Sequence, residues 1–266
     1  MTDYIGPGNG HLVIIGGHFQ SEKIYKKIVE LAGGEDAPFV IIPTASGEPS
    51  YDDDISLADD FKKWFNNVTV LHTYDRATAD TEDFVSPLKE AKGVFFGGGR
   101  QWRLVDAYAE TKTEQAIQAV LDRGGVISGS SAGASIQGSF LARGDTSGNQ
   151  IMDGDHTKGF GYLKNVAIDQ HVISRNRHYD MTQILEAHPE LLGIGCDEDT
   201  AFVINKNRAD VIGASYCLIY DGNFWSEEGH DQKVLPSKTQ RFFFLKEGDG
   251  YDLKERRVLS DRISSG

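Results

Sequence analysis

Short apolar runs without polar alternation recur through the first two-thirds of the chain, at residues 12–15, 39–42, 68–71, 94–96 and 126–127. Strands of that texture are covered on both faces. Between them lie amphipathic segments. Ile24, Ile28 and Leu31 share one helical stripe closed by Gly33. Leu57, Phe61, Trp64 and Phe65 share a second, and Ile117, Val120 and Leu121 a third closed by Gly124. Repeated strand–helix–strand units predict a mainly parallel sheet with helices on both sides, an α/β three-layer sandwich. After residue 140 the texture changes. Residues 143–162 are rich in Gly and Asp and read as a long loop or loose hairpin. Runs at 166–168, 191–194, 202–204, 211–212 and 216–220 are strand-like, and an aromatic run at 242–244 interrupts a turn-rich tail. No linker, repeat or low-complexity segment divides the 266 residues, so a single domain, 1–266, is expected.

Sites in such sheets gather at the carboxyl ends of the strands. Those ends carry Gly16-Gly17-His18, Pro43-Thr44-Ala45-Ser46-Gly47, Gly97-Gly98-Gly99-Arg100-Gln101 and Gly129-Ser130-Ser131-Ala132-Gly133. The last follows an apolar run and opens a small-residue helical pattern. Strand, sharp turn, helix is the setting in which Gly-x-Ser-x-Gly holds an exposed nucleophile, so Ser131 is the candidate. The alternative is a plain Gly/Ser turn. An oxyanion formed there needs two donors. The N–H of Ala132 is one, and an N–H of Gly98 or Gly99 in the triple-glycine loop is the other.

A serine hydroxyl needs a base, and the base needs an orienting group. His171, after the strand-like run in Ile168-Asp169-Gln170-His171, is the preferred base. His18 and His72 are rivals at strand ends, and His178 and His188 have weaker contexts. Glu198, at the end of Gly193-Ile194-Gly195-Cys196-Asp197-Glu198-Asp199, is the preferred acid, although three acids in a row also suit a solvated turn. The order Ser, His, Glu differs from the Ser, acid, His order of α/β-hydrolases and excludes that fold.

The formal net charge of −13 argues against nucleic acid and against anionic membrane surfaces. No run approaches the length of a membrane span. The start Met1-Thr2-Asp3-Tyr4-Ile5 has neither a basic region nor an apolar core, so a cytoplasmic location is expected, with a periplasmic or secreted one open if a leader has been removed. Cys196 and Cys217 are too few for a disulfide framework and read as buried small hydrophobes. Gly6, Gly8 and Gly10 precede a strand instead of following one, so they form no dinucleotide fingerprint. Asp145, Ser147 and Asn149 alternate as in a calcium loop, but no glycine fills the sixth position and His156 fills the twelfth. Asp153, Asp155 and His156 match no recognised zinc spacing. No metal or cofactor is expected.

Taken together, these motifs resemble the serine peptidase family that includes cyanophycinase and aspartyl dipeptidase. The resemblance rests on Ile42-Pro43-Thr44-Ala45-Ser46, Phe95 to Gln101, Gly129 to Ala134, Asp169-Gln170-His171 with Arg175 and Arg177, and Gly193 to Ala201, in family order. The spaced arginines make the cyanophycinase branch the nearer one. The resemblance implies a fold like the class I glutamine amidotransferases, with Ser131 as nucleophile, His171 as base and Glu198 as acid. It puts Gln101, Asp169, Gln170, Arg175 and Arg177 in the substrate pocket. It implies an aspartate-containing peptide or polymer substrate, such as the β-aspartyl-arginine polymer cyanophycin, and a homodimer. Three positions depart from the family pattern: Ser130 stands for a threonine, Arg100 for an acid and Asp180 for a third arginine. An α-aspartyl dipeptidase and a non-catalytic binding homologue are the alternatives.

Overall fold

The computed structural model describes residues 4–51, 55–223 and 236–260. Met1, Thr2 and Asp3 of the amino-terminal stretch and residues 224–235 of the turn-rich tail lie outside the described residues. Five strands follow the expected alternation: β1 (His11–Ile15), β2 (Phe39–Ile42), β3 (Val68–Val70), β4 (Gly93–Phe96) and β5 (Val126–Ser130). They are parallel and ordered β1-β5-β4-β2-β3. The intervening helices are α1 (Glu22–Ala32), α2 (Ser56–Lys62), α3 (Arg76–Ala79), α4 (Ser86–Glu90), α5 (Trp102–Tyr108) and α6 (Lys112–Asp122). Gly33 ends α1 at φ 98°, a left-handed cap.

Side chains of alternate residues explain why these strands carry no polar face. Val13 and Ile15 pack with Ile24 and Ile28 of α1 and Phe61 of α2, while Leu12 and Ile14 face Leu104, Tyr108, Ile117 and Val120. Both faces are therefore apolar, and each fully buried aliphatic side chain contributes about 1.5–3 kcal/mol.

The remainder is more antiparallel than the alternation predicts. After α7 (Ala132–Ser135) come β6 (Gly138–Phe140), β7 (Leu163–Gln170), α8 (Met181–Ala187), β8 (Leu192–Cys196), β9 (Thr200–Asn205), β10 (Arg208–Gly213), β11 (Tyr216–Tyr220), β12 (Phe243–Lys246), β13 (Gly250–Asp252) and β14 (Arg257–Leu259). Beyond β1 the first sheet continues as β9, β10, β13 and β14, all antiparallel, to give nine strands. The sheet is thus parallel in one half and antiparallel in the other. The cause is connection length: only Lys206 and Asn207 separate β9 from β10, which permits a hairpin and not a crossover. A second sheet, not anticipated, has the order β12-β11-β8-β7-β6, with β6, β7 and β8 mutually parallel. Among the described residues no helix is long and apolar enough to cross a membrane.

Candidate active site

Four strand ends converge. Ile15 of β1 is paired with Ser130 at the end of β5, and Gln170 of β7 with Cys196 at the end of β8. Residue 131 thus leaves one sheet where residues 171 and 197–199 leave the other. Backbone bonds join the two: His171 N–H donates to the Gly16 carbonyl at 2.7 Å and Asp199 N–H to that of His18 at 2.9 Å, while Ser131 N–H donates to Ile15 within the first sheet at 3.1 Å.

Ser131 sits at φ 57° and ψ −112°, a strained pose that costs a non-glycine residue about 1–3 kcal/mol. Close packing on either side holds it there. A Cβ on Gly129 would lie 2.2 Å from the Gly133 carbonyl oxygen, and one on Gly133 would lie 2.1 Å from that of Phe96. The side chains of Ser131, His171 and Glu198 come together. His171 Nε2 is 2.9 Å from Ser131 Oγ, and His171 Nδ1 is 2.6 Å from Glu198 Oε1. With Nδ1–H donating to the carboxylate, Nε2 carries the lone pair that can accept the serine proton. Burial lowers the pKa of His171. The Glu198 hydrogen bond opposes this, Arg175 and Arg177 act with burial, and the net shift is downward. The imidazole is therefore neutral at neutral pH, as a base must be.

The glycines of Gly16-Gly17 make room for side chains of the chain itself. A Cβ on Gly17 would lie 2.3 Å from His171 Nδ1 and 2.8 Å from Glu198 Cγ. The three consecutive acids point in three directions. Buried Asp197 accepts from the N–H groups of Ile173 and Ser174 and from the Ser174 and Ser215 hydroxyls. Burial raises its pKa, but these bonds outweigh burial and leave it below the usual value. Asp199 accepts from Gln20 and Ser21 N–H. The run is a junction between the sheets and not a solvated turn.

Of the expected oxyanion donors, Ala132 opens α7, and its N–H is one that a helix start leaves without an intrahelical partner. Gly98 adjoins the serine, since a Cβ built on it would be 3.4 Å from Ser131 Cβ. Gly99, at φ 139°, backs onto the Ala45 carbonyl.

The expected substrate residues divide. Arg175 is exposed and close enough to His171 to act on its charge. Arg177 is buried, and its Nη1 donates to the Gln170 carbonyl at 3.2 Å and to Gln170 Oε1 at 2.9 Å, which fixes that amide. Gln101 is buried and donates from Nε2 to the Ala142 carbonyl. Asp169 is fully buried and bound twice by Arg143, from Nε at 2.7 Å and Nη2 at 2.9 Å. Arg143, missed in the sequence, also donates from Nη2 to Asp180 at 2.6 Å and from Nη1 to the Asn149 carbonyl. Its signal was present: a cation directly after the apolar stretch Phe140-Leu141-Ala142. Arg100 donates to the Asp145 carbonyl and ties down the 143–162 loop.

Of the rival histidines, His18 follows Gly17 beside the site, where its carbonyl accepts from Asp199 N–H, and the others lie elsewhere. His72 contacts Thr44 Oγ1, His188 contacts Asp153, and His178 lies beside Phe242 and Phe244. In the calcium-like stretch, the Asp145 carboxylate accepts from the Ser147 and Gly148 N–H groups. Among the described residues no three His, Cys, Asp or Glu side chains form a group that could hold a metal ion.

The signature of peptidase family S51 matches residues 12–212. The cyanophycinase of Geminocystis herdmanii (strain PCC 6308) is 31% identical over 261 residues, covering 94% of this chain and 96% of that protein. The cyanophycinase of Nostoc sp. (strain PCC 7120 / SAG 25.82 / UTEX 2576) is 30% identical over 269 residues, covering 96% and 90%. Among solved structures, a peptidase from an acI-B1 Actinobacterium superposes with a TM-score of 0.66 at 24% identity, covering 93% of this chain and 98% of that one, a likeness of fold.

Proposed function

The chain belongs to peptidase family S51, and from that premise we propose that it hydrolyses aspartyl peptides or isopeptides through an acyl-enzyme on Ser131. The observation that carries this reading is the continuous contact Ser131 Oγ–His171 Nε2–Glu198 at 2.9 and 2.6 Å. In the mechanism we propose, Oγ attacks the scissile carbonyl carbon while its proton passes to Nε2. Glu198 stabilises the imidazolium. The N–H groups of Ala132 and of Gly98 or Gly99 receive the oxyanion. His171 then returns the proton to the leaving amine. A water, deprotonated by the same nitrogen, releases the acyl group and regenerates Ser131.

For the substrate, the names of the relatives favour cyanophycin or a related β-aspartyl-arginine polymer cut to dipeptides. Exposed Arg175 suits a substrate carboxylate. We assign Arg177 and Asp169 to positioning Gln170 and the β7 end, with the free ends of the Gln101 and Gln170 amides turned to the peptide. A short α-aspartyl peptide is the second reading. Asp180 favours it, because its carboxylate binds Arg143 where the family pattern has a third guanidinium. A glutamine amidotransferase-like sandwich in the parallel half and a homodimer complete the proposal.

Ser131→Ala tests it. We expect turnover to vanish, with far-UV circular dichroism and melting temperature unchanged. A well-folded variant that still cleaves overturns the assignment. Unmodified protein should be labelled at Ser131 by a fluorophosphonate, and failure to label favours a binding homologue without turnover. Mass spectrometry of products from cyanophycin, β-aspartyl-arginine oligomers and α-aspartyl dipeptides, assayed side by side, separates the two substrate readings.

A further inference from the structure

Cys196 and Cys217 lie directly opposite each other on the antiparallel strands β8 and β11. Both are fully buried, their side chains enter the same apolar cluster, and their sulfurs are 2.9 Å apart, well inside the contact distance of two non-bonded sulfurs. The ladder fixes what kind of pair this is. The next pair outward is Asp197 with Tyr216, and Asp197 N–H donates to the Tyr216 carbonyl at 3.1 Å. Hydrogen-bonded and non-hydrogen-bonded pairs alternate along an antiparallel ladder, so Cys196 and Cys217 form a non-hydrogen-bonded pair. Such residues have Cα atoms about 4.5 Å apart, inside the range of about 4.4–6.8 Å that a disulfide spans. No backbone movement is needed to join them.

We propose that Cys196 and Cys217 are a disulfide site, closed when the chain folds in the presence of a small-molecule disulfide. Two exchanges form the bond. One cysteine, as thiolate, attacks the small disulfide, making a mixed disulfide and expelling one small thiolate. The second cysteine, as thiolate, attacks the protein sulfur of that mixed bond and expels the other. The protein loses two protons and two electrons, and the small disulfide is reduced to two thiols. Burial and the neighbouring Cys196 push the Cys217 thiol well above its ordinary pKa, so the folded pair reacts slowly and closure belongs to the open or folding chain. The bond would lock β8 to β11 one residue before Asp197 and two before Glu198. It stands whether or not Ser131 is a nucleophile.

The test uses the full chain. Reduced protein is equilibrated in a mixture of oxidised and reduced glutathione with enough urea to open the strand pair, returned to buffer, and then denatured and alkylated. Intact mass is expected to show no alkylated cysteine in most molecules and peptide mapping a Cys196–Cys217 cross-link, while the untreated reduced protein takes two alkyl groups. In Cys217→Ala the remaining cysteine should end as a free thiol, a glutathione adduct or an intermolecular link. Two alkylated cysteines, or one glutathione adduct on each cysteine, in the equilibrated unmodified protein overturn the proposal.

Discussion

His171 is only 4% exposed and its imidazole lies between a hydroxyl and a carboxylate, so its protonation state governs the proposed chemistry. Its pKa is below the usual 6.5, chiefly through burial. The base must be neutral, so activity should be lost as pH falls through that lowered pKa. The acid limb of a kcat/KM–pH profile should therefore have its midpoint below 6.5. Glu198→Gln removes the charge that holds the tautomer and stabilises the imidazolium. We expect kcat to fall on the order of 10²-fold or more with KM little changed, by steady-state kinetics. Gly17→Ala drives a methyl to 2.3 Å from Nδ1, and the ring must move off Ser131. Such a displacement should lower kcat on the order of 10²-fold, and fluorophosphonate labelling should slow in parallel.

At the scale of elements, Arg143 joins three pieces of chain: β7 through Asp169, the start of α8 through Asp180 and the 143–162 loop through Asn149. Arg143→Met would leave the Asp169 carboxylate buried without its cation, a loss of about 3–5 kcal/mol. Calorimetry should show a melting temperature lower by roughly 10 °C. The strands β1, β2, β4 and the start of β5 were legible because they are apolar on both faces, β3 from its two valines although it is a half-buried edge strand, and the cap of α1 because Gly33 follows its stripe. The second sheet was not legible. Pairing of β7 with β8 and of β8 with β11 joins segments whose own patterns state only that each is a strand. The site shows the same division. Ser131, His171 and Glu198 each end a strand-like run, a local signal. That Asp169 and Arg177 turn inward depends on Arg143 and Gln170, which only the folded chain brings beside them.

For the whole molecule, the proposed homodimer predicts a sedimentation or light-scattering mass of twice 29.3 kDa, and a value near 29.3 kDa at micromolar concentration refutes it. The formal charge of −13 gives the surface a long-range negative field. Among neutral and cationic aspartyl peptides of equal length, the cationic ones should lose kcat/KM more steeply as ionic strength rises. The two sheets meet where the ends of β1, β5, β7 and β8 converge, and the three proposed reacting groups come from widely separated stretches of polypeptide. A ribosome-bound chain still short of β9 has its hydroxyl and imidazole but no partner strand to seat the carboxylate's turn against β1. Cutting power would therefore arise only once synthesis has passed that point, which spares the unfinished polypeptide from its own chemistry.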